Sequence, residues 1–454
     1  MNIFKKNVVV AMNKSLPEQF FKDLNTLVSI DSKLEEDKST EETPFGPGPR
    51  AALEAMKAIA LRDGLPVIDA NHKALSCTFD VGSSFNFGCL GHLDIVPAVG
   101  QWRHNPFEVS IEDGKMYGRG VLDDKGPLLA AYYAAKEAQA EGLLKDNIVF
   151  IMGCDEENDS RGVKEYLKHY PAPDASVSPD ADFPVIIGEK GITSIDLVGQ
   201  EKPVVKSIIC DNKYNLVPEC ATVTLYPEQK DLIDLAKGYA TKFGLGFESD
   251  ELSFTFLGVA HHAMEPEQGL NALAHVLSFL YHHVHSPFLD ELNEKVVFDF
   301  YGIKTGCSYH DDVMGDVTVN LANMHYNQEG YQVGFNVRVP LSENYTCVDT
   351  AFNAFKTARC VIKKRSYGLY KPEDTPIAQI CLESYRTITQ DYSKPLTMGG
   401  GTYAREVPNA LAFGPLKPQS INTCHMTDEW IMIKDLEDMY NIYLYLFTHT
   451  DKLH

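Results

Sequence analysis

The sequence predicts an α/β protein with a split main domain, in which helices flank a mixed, mostly parallel sheet, and with an inserted α+β domain. Three observations lead to this prediction. The chain has 454 residues, which is more than one ordinary domain holds. Short apolar runs alternate with helical periodicity over residues 1–190, as in successive βαβ units. Strand-rich sequence fills residues 191–369, and the α/β pattern then returns over residues 370–454.

The first part of the main domain divides into helices and strands by its periodicity. Amphipathic spacing predicts a helix over residues 16–30, and the Pro- and Gly-rich PFGPGPR predicts a loop before a second helix over residues 51–61. Apolar runs bounded by turn residues predict the strands that follow, with amphipathic helices between them. The predicted strands are 85–90, 148–152 and 185–187, and the predicted helices are 126–140 and 162–169.

The insertion begins where the sequence becomes rich in strand-forming residues, near Gly191. Two stretches within it have helical periodicity, and two more helices complete the main domain after it. The predicted strands of the insertion are 193–198, 204–209 and 221–225, its predicted helices are 232–243 and 270–282, and the later helices of the main domain are 377–388 and 436–447.

Composition restricts the partners and the compartment. The net charge is −22, from 63 acidic and 41 basic residues, which disfavours attraction to nucleic acid or to an anionic membrane. The apolar stretch before Asn13 is too short for a signal sequence, and no later run approaches the roughly 20 apolar residues that span a bilayer. The ten cysteines stand singly, without a CxxC pair. We therefore predict a cytoplasmic protein that binds small molecules or peptides.

His92 and Asp94, in GHLDIVP, directly follow an apolar run. The carboxyl end of a strand is the usual place for ligand sites in an open α/β sheet. His92 is therefore a candidate metal ligand, and the Asp94 carboxylate can accept the other N–H of the imidazole, which fixes its tautomer. The alternative is a structural hydrogen bond between the two side chains.

Acidic residues follow in two further loops. Asp123 and Asp124, in GVLDDKG, precede a predicted helix, where they are either metal ligands or residues that favour the helix dipole. Asp155, Glu156 and Glu157 follow a predicted apolar strand. Clustered carboxylates repel one another unless metal ions or protons neutralise them. This group is therefore either part of a metal site or a solvated acidic loop.

Two later pieces complete a ligand set. SPDADFP offers Asp180 and Asp182, and SINTCHMTDEW offers His425. Together with the earlier residues they supply histidine nitrogens and carboxylate oxygens, the ligand types that suit zinc, manganese or cobalt. The sequence therefore predicts metal-dependent chemistry.

These motifs stand in the order in which they occur in a known family. The sequence resembles the co-catalytic zinc peptidases, the family of aminoacylase, acetylornithine deacetylase and succinyl-diaminopimelate desuccinylase, and within it the PepV-type dipeptidases. The resemblance extends over nearly the whole chain. It is carried by GHLDIVP, YGRGVLDDKGP, CDEEN, SPDADFP, HAMEPEQGLNA, NVRVP, MGGGTYAR and the late His425.

The resemblance implies a centre of two divalent metal ions, with zinc as the first choice and manganese or cobalt as alternatives. Asp123 would bridge the two ions. Glu156 would be the general base, and the peptide bond between Asp123 and Asp124 would be cis. The other ligands would be His92 and Asp180 for one ion and Glu157 and His425 for the other.

The resemblance also implies substrate-binding residues, most of them in the inserted domain, which corresponds to the family's lid. Asn215 and His262 would stabilise the tetrahedral oxyanion; His262 is preferred to His261 because it stands four residues before Pro266. The planar fork of Arg338 would grip a terminal carboxylate, although the position alone also suits a surface strand residue. The glycine-rich MGGGTYAR would form a backbone cradle for substrate at Gly400, Gly401 and Thr402.

The implied reaction is hydrolysis of dipeptides or very short peptides by a two-metal-bound hydroxide, with Glu156 as the base. The long insertion favours a monomer that needs no partner subunit. Two alternatives stay open: an N-acyl amino acid amidohydrolase with the same centre, and a homologue that binds without catalysis. Cys210 and Asp211 replace a glycine pair of the PepV-type sequences, and Cys424 flanks the late histidine. These departures leave the substrate preference open.

Overall fold

The computed structural model describes residues 14–340 and 345–454, which form two compact units. The first unit comprises the chain up to Ile187 with Lys371–Leu396 and Thr402–His454, and the second comprises Gly188–Tyr370 with Thr397–Gly401. The sequence predicted domain boundaries at residues 190 and 370. The apolar N-terminal stretch, on which the prediction of no signal sequence rests, lies outside the described residues.

The short segment 397–401 was assigned to the main domain by the sequence, but it belongs to the second unit. Two hydrogen bonds account for this. The Lys190 backbone N–H donates to the Met398 carbonyl at 3.0 Å, and Nη1 of Arg338 donates to the Gly399 carbonyl at 2.9 Å. Both contacts join residues far apart in the chain, so local periodicity does not reveal them.

Each predicted helix is present, with ends shifted by up to four residues, and two helices of the second unit, Pro287–Lys295 and Thr346–Asn353, were not predicted. The second helix begins at Pro47, inside the predicted loop, because proline is tolerated in the first helical turn, where its missing N–H would have had no partner. The α-helices of the described residues are α1 Glu18–Val28, α2 Pro47–Arg62, α3 Lys125–Ala140, α4 Arg161–His169, α5 Leu232–Phe243, α6 Ala272–Tyr281, α7 Pro287–Lys295, α8 Thr346–Asn353, α9 Pro376–Thr389 and α10 Ile433–Phe447.

The strands include every predicted one. The strand predicted from residue 204 begins only at Ser207, since the Val204 N–H donates to the Tyr326 hydroxyl at 3.0 Å instead of to a backbone carbonyl of a neighbouring strand. The strands of the described residues are β1 Val67–Ala70, β2 Ala74–Phe79, β3 Asn86–His92, β4 Ser110–Glu112, β5 Lys115–Tyr117, β6 Asn147–Gly153, β7 Ala175–Ser178, β8 Ala181–Asp182, β9 Ile186–Glu189, β10 Gly191–Gly199, β11 Ser207–Cys210, β12 Cys220–Thr224, β13 Gly246–Ser249, β14 Ser253–Leu257, β15 His310–Asp311, β16 Gly315–Asp316, β17 Thr318–Asn327, β18 Gly330–Val339, β19 Arg359–Ser366, β20 Leu369–Tyr370, β21 Leu396–Met398, β22 Ala410–Ala412, β23 Pro415–Leu416 and β24 Trp430–Met432.

The sheet of the first unit has the strand order β1-β2-β6-β3-β7-β22-β9. Its centre is parallel, from β6 through β3 and β7 to β22, and the outer pairs are antiparallel. Strands β3 and β6 consist mostly of apolar and small residues and are buried on both faces, as is usual for parallel strands covered by helices. Helix α3 packs against α10, α1 and β3. The carboxyl ends of these four parallel strands therefore lie along one edge.

The second unit is built on an antiparallel sheet with the order β13-β14-β12-β11-β17-β18-β10-β19. Helices α5 and α6 pack on it, and Phe254, Phe256 and Phe279 lie in its core with ring centroids 5.2–6.0 Å apart. Burying each such side chain contributes about 1.5–3 kcal/mol. This unit is held together mainly by apolar packing.

The predicted α/β class, with a mixed sheet flanked by helices, is confirmed. The ten cysteines, all within the described residues, form no disulfide bonds. Within residues 14–340 and 345–454, no helix combines the length and the apolar character needed to cross a membrane.

Candidate metal centre

The edge of the first sheet brings the predicted ligands together. Strand β3 ends at His92, β6 ends two residues before Asp155, and β7 ends two residues before Asp180. Because these strands are parallel, their carboxyl ends share one edge, and His92 is paired in register with Gly153. Asp123 lies two residues before α3 and joins the same cluster through its contact with His92.

Asp123 stands between two imidazoles. Its Oδ1 lies 3.0 Å from Nε2 of His92, and its Oδ2 lies 2.9 Å from Nε2 of His425. On the His92 side, Oδ2 of Asp180 is 3.6 Å from the same Nε2. On the other side, Oε2 of Glu157 is 3.1 Å from Nε2 of His425. Each oxygen of Asp123 thus faces a different histidine and a different further carboxylate, which is the arrangement that a bridging ligand requires.

Glu156 lies close to the same ligand atoms. His92, Glu156 and Asp180 form one set in which potential ligand atoms lie within 4.8 Å of one another, and His92, Asp123 and Glu157 form another. Proximity alone therefore admits Glu156 as a ligand. The contacts of His425 with Asp123 and Glu157, however, are shorter than this limit, at 2.9 and 3.1 Å. We therefore describe the cluster as two ends, one with His92 and Asp180 and the other with His425 and Glu157, with Glu156 beside them.

The electrostatics of the cluster call for positive charge. Burial and neighbouring carboxylates raise the pKa of Asp180 and Glu157 above the ordinary range, and burial raises the pKa of Glu156 to about 8. Although burial opposes it, hydrogen bonds from the two histidines hold the pKa of Asp123 well below its usual value. Carboxylates packed this closely need protons or cations to neutralise them. The nitrogen and oxygen donors present suit zinc, manganese or cobalt, so the residues fit a pair of divalent ions.

Asp94 supports the cluster differently from the prediction. Nδ1 of His92 lies 3.0 Å from the Asp94 carbonyl oxygen and 3.5 Å from its carboxylate. The carboxylate instead accepts the backbone N–H groups of Glu156 and Glu157 at 3.2 and 3.3 Å. Asp94 therefore orients the imidazole mainly through its backbone and fixes the two glutamates through its side chain.

The adjacent acids of the motif have separate positions. The peptide bond between Asp123 and Asp124 is cis, as predicted. Asp124 is the N-cap residue of α3, but its side chain makes no capping hydrogen bond and instead accepts the His92 backbone N–H at 3.1 Å. Asp155 pairs with Arg161 at 2.6 Å, and Asp182 lies in β8. Asp124 thus stands at the N-terminus of α3, where a carboxylate favours the helix dipole, but forms no side-chain capping hydrogen bond.

The predicted oxyanion residues are neighbours in the second unit. A β-bridge joins Leu216 to His262, and the Ala263 N–H donates to the Asn215 carbonyl at 2.9 Å. The Met264 N–H lies 3.3 Å from Nδ1 of His262. Asn215 and His262 are thus held together by backbone contacts.

Arg338 is buried in β18, with 3% exposure, so the surface-residue alternative is wrong. Its Nε donates to the Asn336 side chain at 2.6 Å and its Nη1 to the Gly399 carbonyl at 2.9 Å. Gly400 and Gly401 follow in the same unit, and Thr402, in the first unit, accepts the Ala404 N–H with its hydroxyl at 3.1 Å. The substrate-binding roles of these residues stay predictions.

Two residues that contact the metal-ligand loops were missed by the sequence reasoning. Glu429 accepts hydrogen bonds from the backbone beside Asp123, and Arg119 pairs with Glu429 at 2.7 Å. Their only signal in the sequence is a charged residue inside each of two motifs, YGRG and MTDEW. Because the partners lie 310 positions apart, no local pattern connects them.

Comparison with known proteins supports the same reading. The sequence model described as Peptidase family M20/M25/M40 matches residues 88–449. The chain is 35% identical over 458 residues to a protein of Staphylococcus saprophyticus provisionally named a dipeptidase, covering 95% of this chain and 97% of that one. A similarly named protein of Staphylococcus haemolyticus is 35% identical over 455 residues, covering 94% and 96%.

Solved structures show the same fold. A metallo-carboxypeptidase from Sulfolobus solfataricus aligns with a TM-score of 0.60 at 15% identity, covering 95% of this chain and 99% of that chain. A di-peptidase from Saccharomyces cerevisiae aligns with a TM-score of 0.59 at 15% identity, covering 95% and 96%.

Proposed function

The chain belongs to peptidase family M20/M25/M40, and from that premise we propose that it is a metal-dependent dipeptidase with two divalent ions. It is a hydrolase of peptide bonds. The proposal that its substrates are dipeptides is supported by staphylococcal relatives named as dipeptidases, which align over at least 94% of the chain.

One observation carries the metal-dependent part of the proposal. Asp123 presents one oxygen to each of two histidines, at 3.0 and 2.9 Å, with a further carboxylate beside each of them. His92 with Asp180 would hold one ion, and His425 with Glu157 would hold the other. When bound, such ions would supply an ionised water near neutral pH and polarise the scissile carbonyl. Zinc, manganese and cobalt all fit these donors.

Glu156 is proposed as the general base. It would take a proton from the attacking water as the new C–O bond forms, and return that proton to the amine as the C–N bond breaks. Its backbone N–H is held by Asp94, and burial raises the pKa of its carboxyl to about 8. A carboxyl held beside the metal ligands in this way is placed to carry out both steps.

The second unit would supply the polar contacts to the substrate. Asn215 and His262 would stabilise the negative charge that develops on the carbonyl oxygen. Arg338 would bind the terminal carboxylate with its guanidinium fork, which favours substrates of dipeptide length. The backbone contacts between the segments of Asn215 and His262 support their acting as one group. A monomeric state and a cytoplasmic location stay predictions from the sequence.

A panel of small substrates tests the proposal. The chelator-treated protein, given back zinc, manganese or cobalt in turn, is assayed with α- and β-linked dipeptides and with N-acetyl amino acids. We expect dipeptide hydrolysis that disappears with chelation and returns with one or more of the metals. Hydrolysis of only the acetylated compounds would assign the chain as a deacylase instead. Absence of turnover with every metal would identify a homologue that binds without catalysis.

A further inference from the structure

Glu429 is a buried carboxylate that holds the loop leading into Asp123. Its side chain is 0% exposed. Oε1 accepts hydrogen bonds from the backbone N–H groups of Gly120, Leu122 and Asp123 at 3.0, 2.9 and 3.2 Å. An ionised oxygen that accepts three N–H groups fixes the path of these residues. It thereby fixes the point from which the Asp123 side chain projects.

Arg119 neutralises this carboxylate from its other side. Its Nη1 lies 2.7 Å from Oε2 of Glu429, and its guanidinium stands over the Trp102 ring, 5.1 Å from the centroid. Both members of the pair are buried. Removing one member leaves an uncompensated charge out of contact with water, so each depends on the other.

Glu429 also belongs to the loop that carries His425, four residues earlier in the chain. This loop is closed by Thr423, whose hydroxyl donates to the Trp430 carbonyl at 2.7 Å and accepts the Trp430 N–H at 3.0 Å. The same acid therefore restrains two loops, one ending in Asp123 and one containing His425. The ends of these loops meet where Oδ2 of Asp123 lies 2.9 Å from Nε2 of His425.

We propose that Glu429 and Arg119 are positioning residues that set the separation of Asp123 and His425 before cations bind. Within the described residues, the hydrogen bonds of Glu429 reach the backbone N–H groups of the loop and the Arg119 side chain, so the pair acts through the backbone. The inference rests on the proposed function, because it assumes that Asp123 and His425 hold a cation. A pair that only stabilises the fold would lower the melting temperature when broken but would leave the cation affinity of the folded protein unchanged.

Titration of Co²⁺ into the chelator-treated full chain, followed by visible absorption and calorimetry, tests this inference. Glu429→Gln preserves the shape of the side chain but removes the counter-charge of Arg119. We expect its Co²⁺ affinity at the position of His425 and Glu157 to fall about 10- to 100-fold, the range found for groups that orient metal ligands. Arg119→Lys keeps the charge but loses the planar fork, and we expect a smaller loss in the same direction. This milder variant decides the question if Glu429→Gln does not fold.

Glu383→Gln is the matched control, since Glu383 contacts Tyr445 and Lys452 and neither metal-ligand loop. We expect it to bind Co²⁺ as the unmodified chain does. Wild-type affinity in a folded Glu429→Gln or Arg119→Lys protein would overturn the inference and leave the proposed function standing. An unmodified chain that binds no Co²⁺ would overturn the proposed function and the inference with it.

Discussion

The two histidines of the metal cluster are held in different ways. His92 ends strand β3, its side chain is 1% exposed, and its ring and backbone are bound by the Asp94 carbonyl at 3.0 Å and the Asp124 carboxylate at 3.1 Å. His425 lies in the loop between β23 and β24 with φ of 63°, and its side chain is 48% exposed. The sheet fixes the first histidine, whereas a loop presents the second.

This difference indicates that the two ends of the cluster are organised to different degrees. A ligand that is fixed beforehand loses little conformational freedom when a cation binds, whereas a half-exposed loop residue must be ordered at that moment. We therefore expect the end with His92 and Asp180 to bind its cation more tightly than the end with His425 and Glu157.

The largest effect is expected from Asp123→Ala, because this residue contacts both histidines. Both cation positions should weaken together, and dipeptide hydrolysis should fall to background. Cation content measured by mass spectrometry of metals, alongside the hydrolysis rate, checks this. Loss of only one cation with activity retained would mean that the two ends do not share Asp123.

Glu156→Gln should lower the rate of hydrolysis without changing cation binding at either end of the cluster. We expect turnover to fall about 10²- to 10⁴-fold, the usual contribution of a general base, while both cations are retained. Asp182→Asn is a suitable control, as a nearby partly buried acid outside the cluster. Retained turnover in Glu156→Gln would remove it as the base, and loss of a cation would identify it as a ligand.

Substitution of Arg338 should leave both ends of the cluster unchanged and act on substrate binding. Hydrogen bonds to charged groups contribute about 1.5–3 kcal/mol, so Arg338→Ala should raise KM about 10- to 100-fold for dipeptides with a free carboxylate. Amidated dipeptides should be affected much less. The control is Arg365→Ala, which breaks an ion pair with Asp349 in the same unit. Equal losses for free and amidated substrates would contradict the carboxylate contact.

Comparing His92→Ala with His425→Ala tests the difference between the ends directly. Losing the preorganised ligand should reduce Co²⁺ affinity at its own end about 10-fold more than losing the loop ligand does at the other. Calorimetric titration of both variants gives the two values. Equal losses of affinity would mean that the burial of His92 and its position at a strand end do not strengthen cation binding.

The smallest effect is expected from Thr423→Val, which removes the two hydrogen bonds that close the His425 loop. We expect a stability loss of about 1 kcal/mol and a several-fold weaker cation at that end only. Thr389→Val, which also removes two hydroxyl hydrogen bonds, one to the Tyr385 carbonyl and one from the Asp391 N–H at the end of α9, serves as the control. A loss of cation affinity at the His92 end instead would contradict the inference that this loop acts on the His425 end.

The comparison of the two ends also shows how far sequence reasoning extends. His92 and Glu157 follow apolar runs, so a local pattern places them at strand ends, and a parallel sheet brings strand ends together. Asp180 follows β7, a short strand without an apolar run, which the sequence did not predict. His425 has no such local signal, because it lies in an irregular loop with a left-handed backbone. Its assignment depended on the resemblance to a family.

What the sequence could not predict depends on contacts between distant segments. The pairing of Arg119 with Glu429 joins positions 310 apart, and the burial of Arg338 depends on the strands that flank β18. The contact of His92 with the Asp94 carbonyl at 3.0 Å rather than with its carboxylate at 3.5 Å depends on local geometry that residue spacing does not encode. Such details follow from packing, which residue type and periodicity constrain only loosely.

The most direct test of the account is a stepwise Co²⁺ titration of the chelator-treated chain with the dipeptide hydrolysis rate measured at each step. We predict two cations per chain with clearly different affinities, and hydrolysis that reaches its maximum only as the weaker position fills. Binding of a single cation, or full hydrolysis in the presence of excess chelator, would contradict the two-cation centre on which the account depends.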